Sequence, residues 1–243
     1  MNKDKEEYLS LIKSNIGTYG YHVTVVKSEA QPRYAYTIGL KDLFGYELIF
    51  AGGVYYMQEE LFEIFKGLVD GLKTIPDLIK EKVSLANLGA FSFSNTHSSW
   101  SGLMLLGVFD YFSIDNINAL QVIPDADHYT QDIPDMSKAF DQSTEPIWQW
   151  LTRNWDYNVP VKSTVVTNID SLRGHAITEL MRWENDDWEM FAGSGPDIDK
   201  KDIRVVPLAT MLGIDNSLMP AISLENGKGL WREDDNSEWN NWG

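Results

Sequence analysis

Four histidines, His22, His97, His128 and His175, are the side chains of this 243-residue chain whose ordinary pKa lies near neutrality. None stands in a His-x-x-x-His or His-Glu-x-x-His spacing, so no standard zinc site is expected. Asp125-Ala126-Asp127-His128 brings two carboxylates and an imidazole together, a set that suits a hard metal ion. Without further ligands at helical or hairpin spacing it reads as a solvated loop, and neither a metal nor a cofactor is expected.

His97 lies beside Ser98 and Ser99, but no Gly-x-Ser-x-Gly elbow presents a serine as a nucleophile. Gly52-Gly53 and Gly193-Ser194-Gly195 are too sparse in glycine for a phosphate-binding fingerprint, and both read as turns. Thiolate chemistry, disulfides and Cys-ligated metals are excluded because the chain has no cysteine. A pocket built on His22, Tyr36, Thr37 and His97 is the one constellation on which a small-molecule site or a hydrolase could be assembled.

Nine tryptophans form the second notable set. In Trp183-Glu184-Asn185-Asp186-Asp187-Trp188 two indoles flank a turn-forming acidic stretch. If the stretch is a hairpin, Trp188 and Met190 share one face, and Asp187, Glu189 and Phe191 share the other. Exposed indoles are frequent anchors of protein interfaces. Trp183, Asp186, Asp187, Trp188 and Glu189 are therefore the candidate partner-binding residues.

The elements that must position these groups follow from hydrophobic period. Leu9, Ile12 and Ile16 predict an N-terminal helix that stops at Gly17 to Gly20. Strands are predicted over 21–27, 34–40 and 47–51, and a helix over 58–72 with Leu61, Phe65 and Leu68 on one side. Further strands are predicted over 87–93, 102–109 and 119–123, then a loop over 124–146 and a short helix over 147–155. The next part reads as strands over 163–168, 176–183, 187–192 and 203–207, a short helix at 208–212, and an acidic tail expected to fray. The pattern predicts an α+β fold of two small domains, 1–158 and 159–243, each a mostly antiparallel sheet with flanking helices.

Acids outnumber bases 36 to 20, giving a formal charge of −16 spread over both halves. Such a field disfavours nucleic acid and anionic membranes and favours encounter with a basic protein. The N-terminal residues lack the basic start and apolar run of a signal peptide, and no apolar run is long enough to span a bilayer. A cytoplasmic location is expected.

Two stretches carry a family resemblance. Tyr19-Gly20-Tyr21-His22-Val23, Tyr34-Ala35-Tyr36-Thr37-Ile38-Gly39-Leu40, Glu47-Leu48-Ile49 and Ala119-Leu120-Gln121-Val122-Ile123-Pro124-Asp125 resemble a bacterial family catalogued as domain of unknown function 4262. The likeness covers roughly residues 8–135. Where that family usually has tryptophan before the proline, this chain has Ile123. The resemblance implies no established activity.

Asp186-Asp187-Trp188-Glu189-Met190-Phe191-Ala192-Gly193, Val206-Pro207-Leu208 and Asp215-Asn216-Ser217-Leu218 resemble, over about residues 163–235, the bacterial immunity proteins of family 33. That resemblance implies a non-enzymatic protein that neutralises a toxin by direct contact, with a basic toxin as the expected partner.

Overall fold

The computed structural model describes residues 3–242. In chain order the first domain contains α1 (Lys3–Tyr19), β1 (His22–Val26), β2 (Tyr34–Ile38), α2 (Lys41–Phe44), β3 (Glu47–Ala51), α3 (Gln58–Thr74), β4 (Val83–Leu85), β5 (Gly89–Asn95), α4 (Ser98–Met104), α5 (Leu106–Phe112) and β6 (Ala119–Pro124). Its six-stranded sheet has the order β1-β2-β3-β6-β5-β4, and only the β3–β6 pairing is parallel.

Every residue of β2 and β3 is buried, which is why Tyr-Ala-Tyr-Thr-Ile and Glu-Leu-Ile-Phe-Ala do not alternate in polarity. Both sheet faces are covered. Leu48 and Phe50 point to one side, against Leu61, Phe65 and Leu68 of α3. Ile49 and Ala51 point to the other, into a core with Ile12 of α1, Trp100 and Met104 of α4, and Val108 of α5. Burying each such side chain contributes about 1.5–3 kcal/mol.

The predicted strand over 102–109 is instead part of two helices that meet at Leu105. Trp100, Met104 and Val108 recur every four residues and pack on one side of the sheet. The His97 side chain caps the first helix, its Nδ1 accepting from Ser99 N at 3.2 Å. The apolar run Leu103-Met104-Leu105-Leu106 masks this period, because a short continuous apolar run suits either element.

The second domain contains β7 (Thr164–Asn168), α6 (Ile169–Leu172), β8 (Glu179–Arg182), β9 (Asp187–Phe191), β10 (Ile203–Pro207), α7 (Leu208–Ile214), β11 (Lys228–Trp231) and β12 (Asn240–Trp242). The sheet order is β10-β7-β9-β8-β11-β12, parallel only between β7 and β9. Val165, Leu180, Trp188, Met190 and Leu230 form a core under Met211 of α7 and Leu218 of a 3-10 helix at Asn216–Ser223. The tail does not fray as expected. Asn240–Trp242 pairs with β11, and Arg232 ties the approach down through Asp215 at 2.9 Å and the Trp239 ring at 4.3 Å.

Each domain is therefore an α+β unit with a mostly antiparallel sheet and flanking helices. The two sheets share no strand. The loop after β6 is ordered between them. Trp148 is buried in the first core and donates its indole N–H to Asp132 O at 2.9 Å. Trp150 packs on Ala209 of α7, and Val54 and Tyr55 reach the second core. Arg204 of β10 donates to Val54 O at 3.0 Å and to Tyr55 O at 2.6 Å. Among the described residues no helix is long and apolar enough to cross a membrane.

Candidate functional site

The four residues proposed for a first-domain pocket do not converge. Tyr36 and Thr37 are consecutive in β2, so their side chains leave opposite faces of the sheet. The Tyr36 hydroxyl accepts from Gly107 N at 3.1 Å, and burial pushes its pKa upward. His22 is buried at the start of β1, with Nδ1 2.8 Å from Asn15 Nδ2, and burial lowers its pKa. His97 is exposed at the cap of α4.

Thr37 is engaged by Glu47, a residue outside the predicted pocket. The buried Glu47 carboxylate accepts from Thr37 Oγ1 at 2.7 Å, Gly39 N at 2.8 Å, Lys41 N at 3.0 Å and Leu40 N at 3.2 Å. The Thr37 hydroxyl in turn accepts from Leu48 N at 2.8 Å. Gly39 has φ +118°, and a Cβ there would lie 3.1 Å from Gly20 O, so the turn requires glycine. Burial pushes the Glu47 carboxyl up to about 7, against the four donated bonds that lower it. The Thr-Ile-Gly-Leu string is thus built around a carboxylate that clasps the turn between β2 and β3. Its donors are satisfied within the fold and none is left to act on a substrate.

Asp125 and His128 pair with each other, Oδ1 to Nδ1 at 2.5 Å, and Asp125 Oδ2 accepts from Ala90 N at 2.6 Å. Partial burial pushes the Asp125 carboxyl up, but the bonds from His128 and Ala90 outweigh it and hold it below its ordinary value. The His128 ring stacks on Tyr56. This cluster joins loop to strand.

The five partner-binding candidates separate in space. Trp188 is fully buried, so it is not available at a surface. Its indole N–H donates to Ala221 O at 3.4 Å, and the Arg182 guanidinium lies 4.7 Å from its ring centre. Trp183, the residue after Arg182, is 50% exposed on the other side of the sheet. Asp186 pairs with Lys162 at 2.8 Å, which holds its carboxyl below the ordinary range. Asp187 accepts from Thr164 Oγ1 at 3.3 Å. Glu189 is half-buried beside Val166 and Met181 in register.

On this outer side no α-helix among the described residues covers the sheet as α7 covers the inner one, and a 3-10 turn at Gly195–Asp197 meets only its Glu179 end, with Gly195 N donating to Glu179 Oε2 at 3.1 Å. Trp183, Met181, Phe191, Glu179, Glu189 and Trp242 border a groove of about 390 Å³. Trp242 is 49% exposed and Trp231, beside Glu179 in register, is 41% exposed. Gly229 permits this arrangement, because a Cβ there would lie 2.9 Å from Met181 Sδ and 3.6 Å from Trp242 Cε3. Sequence reasoning missed Met181, Trp231 and Trp242. For Met181 the signal was available: it alternates with Leu180 and Arg182. For the two tryptophans, face assignment depends on the long-range β8–β11–β12 register.

No curated protein and no solved structure matches the chain. Residues 15–129, the clasped turn and most of the first sheet among them, match the family described as Domain of unknown function (DUF4262), and it is to that family that the first domain is similar.

Proposed function

We propose that the protein is a non-enzymatic binding protein that holds a protein partner against the open face of its second sheet. One observation carries this reading: three half-exposed tryptophans, Trp183, Trp231 and Trp242, stand on a single uncovered face with the carboxylates of Glu179 and Glu189. A contiguous aromatic patch rimmed by charge is costly to leave in water and is a common form of protein interface.

The partner is basic. The chain's charge of −16 and the carboxylates of the face speed encounter with a cation-rich surface, and the indoles then hold it. We take a bacterial toxin to be that partner, neutralised by direct cover in the cytoplasm. Asp186 and Asp187 at the hairpin tip extend the acidic rim. No nucleic acid or membrane is engaged in this scheme.

The test is capture of a partner by the full chain, followed by kinetics on surface variants. Met181→Glu should abolish capture by placing a charge among the indoles. Glu189→Lys should slow association and weaken its salt dependence. A partner retained at full affinity by both variants would place the binding surface elsewhere.

A further inference from the structure

Where β2 begins and β3 ends, the first domain leaves a concavity that the edge of the second sheet closes. The result is a cleft of about 420 Å³ between the domains. This is within the range of about 300–1,000 Å³ typical of small-molecule sites. The first domain contributes Lys27, Arg33 and Asp132, and the second contributes Lys162, Val205 and Thr210.

Two polar atoms on facing walls are unsatisfied. Arg33 donates from Nη2 to Tyr56 O at 2.7 Å and to Gly53 O at 3.3 Å, yet its Nε is buried without a hydrogen-bond partner. Thr210 is 1% exposed in the first turn of α7, and its hydroxyl also has no partner. Folded proteins rarely leave such groups unpaired, and a pair of them lining one cavity marks a place for a missing partner.

Charge narrows the class of ligand. In a chain of −16, three cations line this one cleft. Lys27 is exposed and has no ion-pair partner among the described residues, while Lys162 is held by Asp186. Asp132 is fully buried and its carboxylate oxygens accept from Thr130 Oγ1 and Val54 N. Glu29, exposed at the mouth, is the other acid. Val205 and Val206 supply apolar wall. One unpartnered guanidinium N–H, one ammonium without an ion-pair partner and one hydroxyl suit a single carboxylate.

We infer that the cleft between the domains binds a small organic carboxylate with an apolar body, at a site that shares no lining residue with the tryptophan groove. The carboxylate meets Arg33 and Lys27, the apolar body lies along Val205, and Thr210 takes a polar atom of the ligand. Because both domains line the cleft, the ligand bridges them and stabilises their docking.

Dansylglycine, a fluorescent aromatic carboxylate, is the probe, with uncharged dansylamide as its comparison. On the full chain dansylglycine should bind one to one and dansylamide about tenfold or more weaker. Lys27→Glu should weaken dansylglycine by about threefold or more, as expected for reversing a charge at the mouth. Val205→Trp should abolish binding by filling the cleft. Val205 is 63% exposed, so that variant should fold, which circular dichroism checks. Thr210→Val, which removes a hydroxyl that bonds nothing in the protein, should keep the fold and weaken binding. Trp183→Ala should leave binding unchanged. No saturable binding, equal affinity for dansylamide, or binding that survives Val205→Trp but is lost in Trp183→Ala would each overturn the inference. None of these results bears on the partner face.

Discussion

Trp183 and Trp188 stand on opposite sides of the second sheet. Trp188 shares its side with its register partner Arg182 and is buried beneath Ala221, while Trp183, one residue past Arg182, faces solvent. This division predicts opposite responses to truncation. Trp188→Ala removes a buried indole and leaves a cavity beside Arg182, at a cost of about 3–5 kcal/mol. Trp183→Ala should change stability by no more than about 0.5 kcal/mol. Urea unfolding of the two variants measures both. Equal destabilisation would mean that both indoles are core residues.

Glu47 gives a pH signature. Its folded pKa of about 7 lies above its ordinary 4.5. The protonated form is therefore favoured in the folded chain. The stability this contributes is fully present below about pH 4.5 and is lost as pH rises through 7. Urea midpoints at pH 5 and pH 8 should fall by more in wild type than in Glu47→Gln, which cannot ionise. The same fall in both proteins would assign the pH dependence to other groups.

Arg204 should govern how the domains dock. It is half-buried and donates to the carbonyls of Val54 and Tyr55 across the interface, with its guanidinium 5.9 Å from the Tyr55 ring centre. Hydrogen bonds to a charged group contribute about 1.5–3 kcal/mol. Arg204→Ala should lower the melting temperature and separate the unfolding of the two halves in calorimetry. A single transition at the wild-type temperature would show that the buried contacts of Trp150 and Tyr55 suffice.

Local pattern made part of this legible in the sequence. The bounds of β1 to β3 and of helix α3 lie close to those expected, because short apolar runs closed by Gly or Pro and, in α3, apolar residues at helical spacing are local signals. The pattern also placed Trp188 with Met190 and opposite Asp187 and Glu189. It did not indicate which of those two faces is covered, since the cover comes from α7 and residues 216–223, distant in sequence. Trp242 joins the open face only because Asn241 pairs with Leu230. Glu47 was legible as part of a strand and not as the carboxylate that Thr37 and the turn enclose. The Arg33–Thr210 cleft joins residues 177 positions apart on two domains, and no local period reports such a pairing.

If the open face of the second sheet is the partner surface, a reactive group planted there must touch the partner. The most direct measurement places a photo-reactive benzoylphenylalanine at position 242 and, as a comparison, at position 57, an exposed position of the first domain. Irradiation in the cells that make the protein, followed by mass spectrometry, identifies what each position touches. One basic protein should be crosslinked from position 242, be absent from position 57, and be lost when Met181→Glu is added. Crosslinks from position 57 alone, or a 242 adduct unaffected by Met181→Glu, would contradict that placement of the partner.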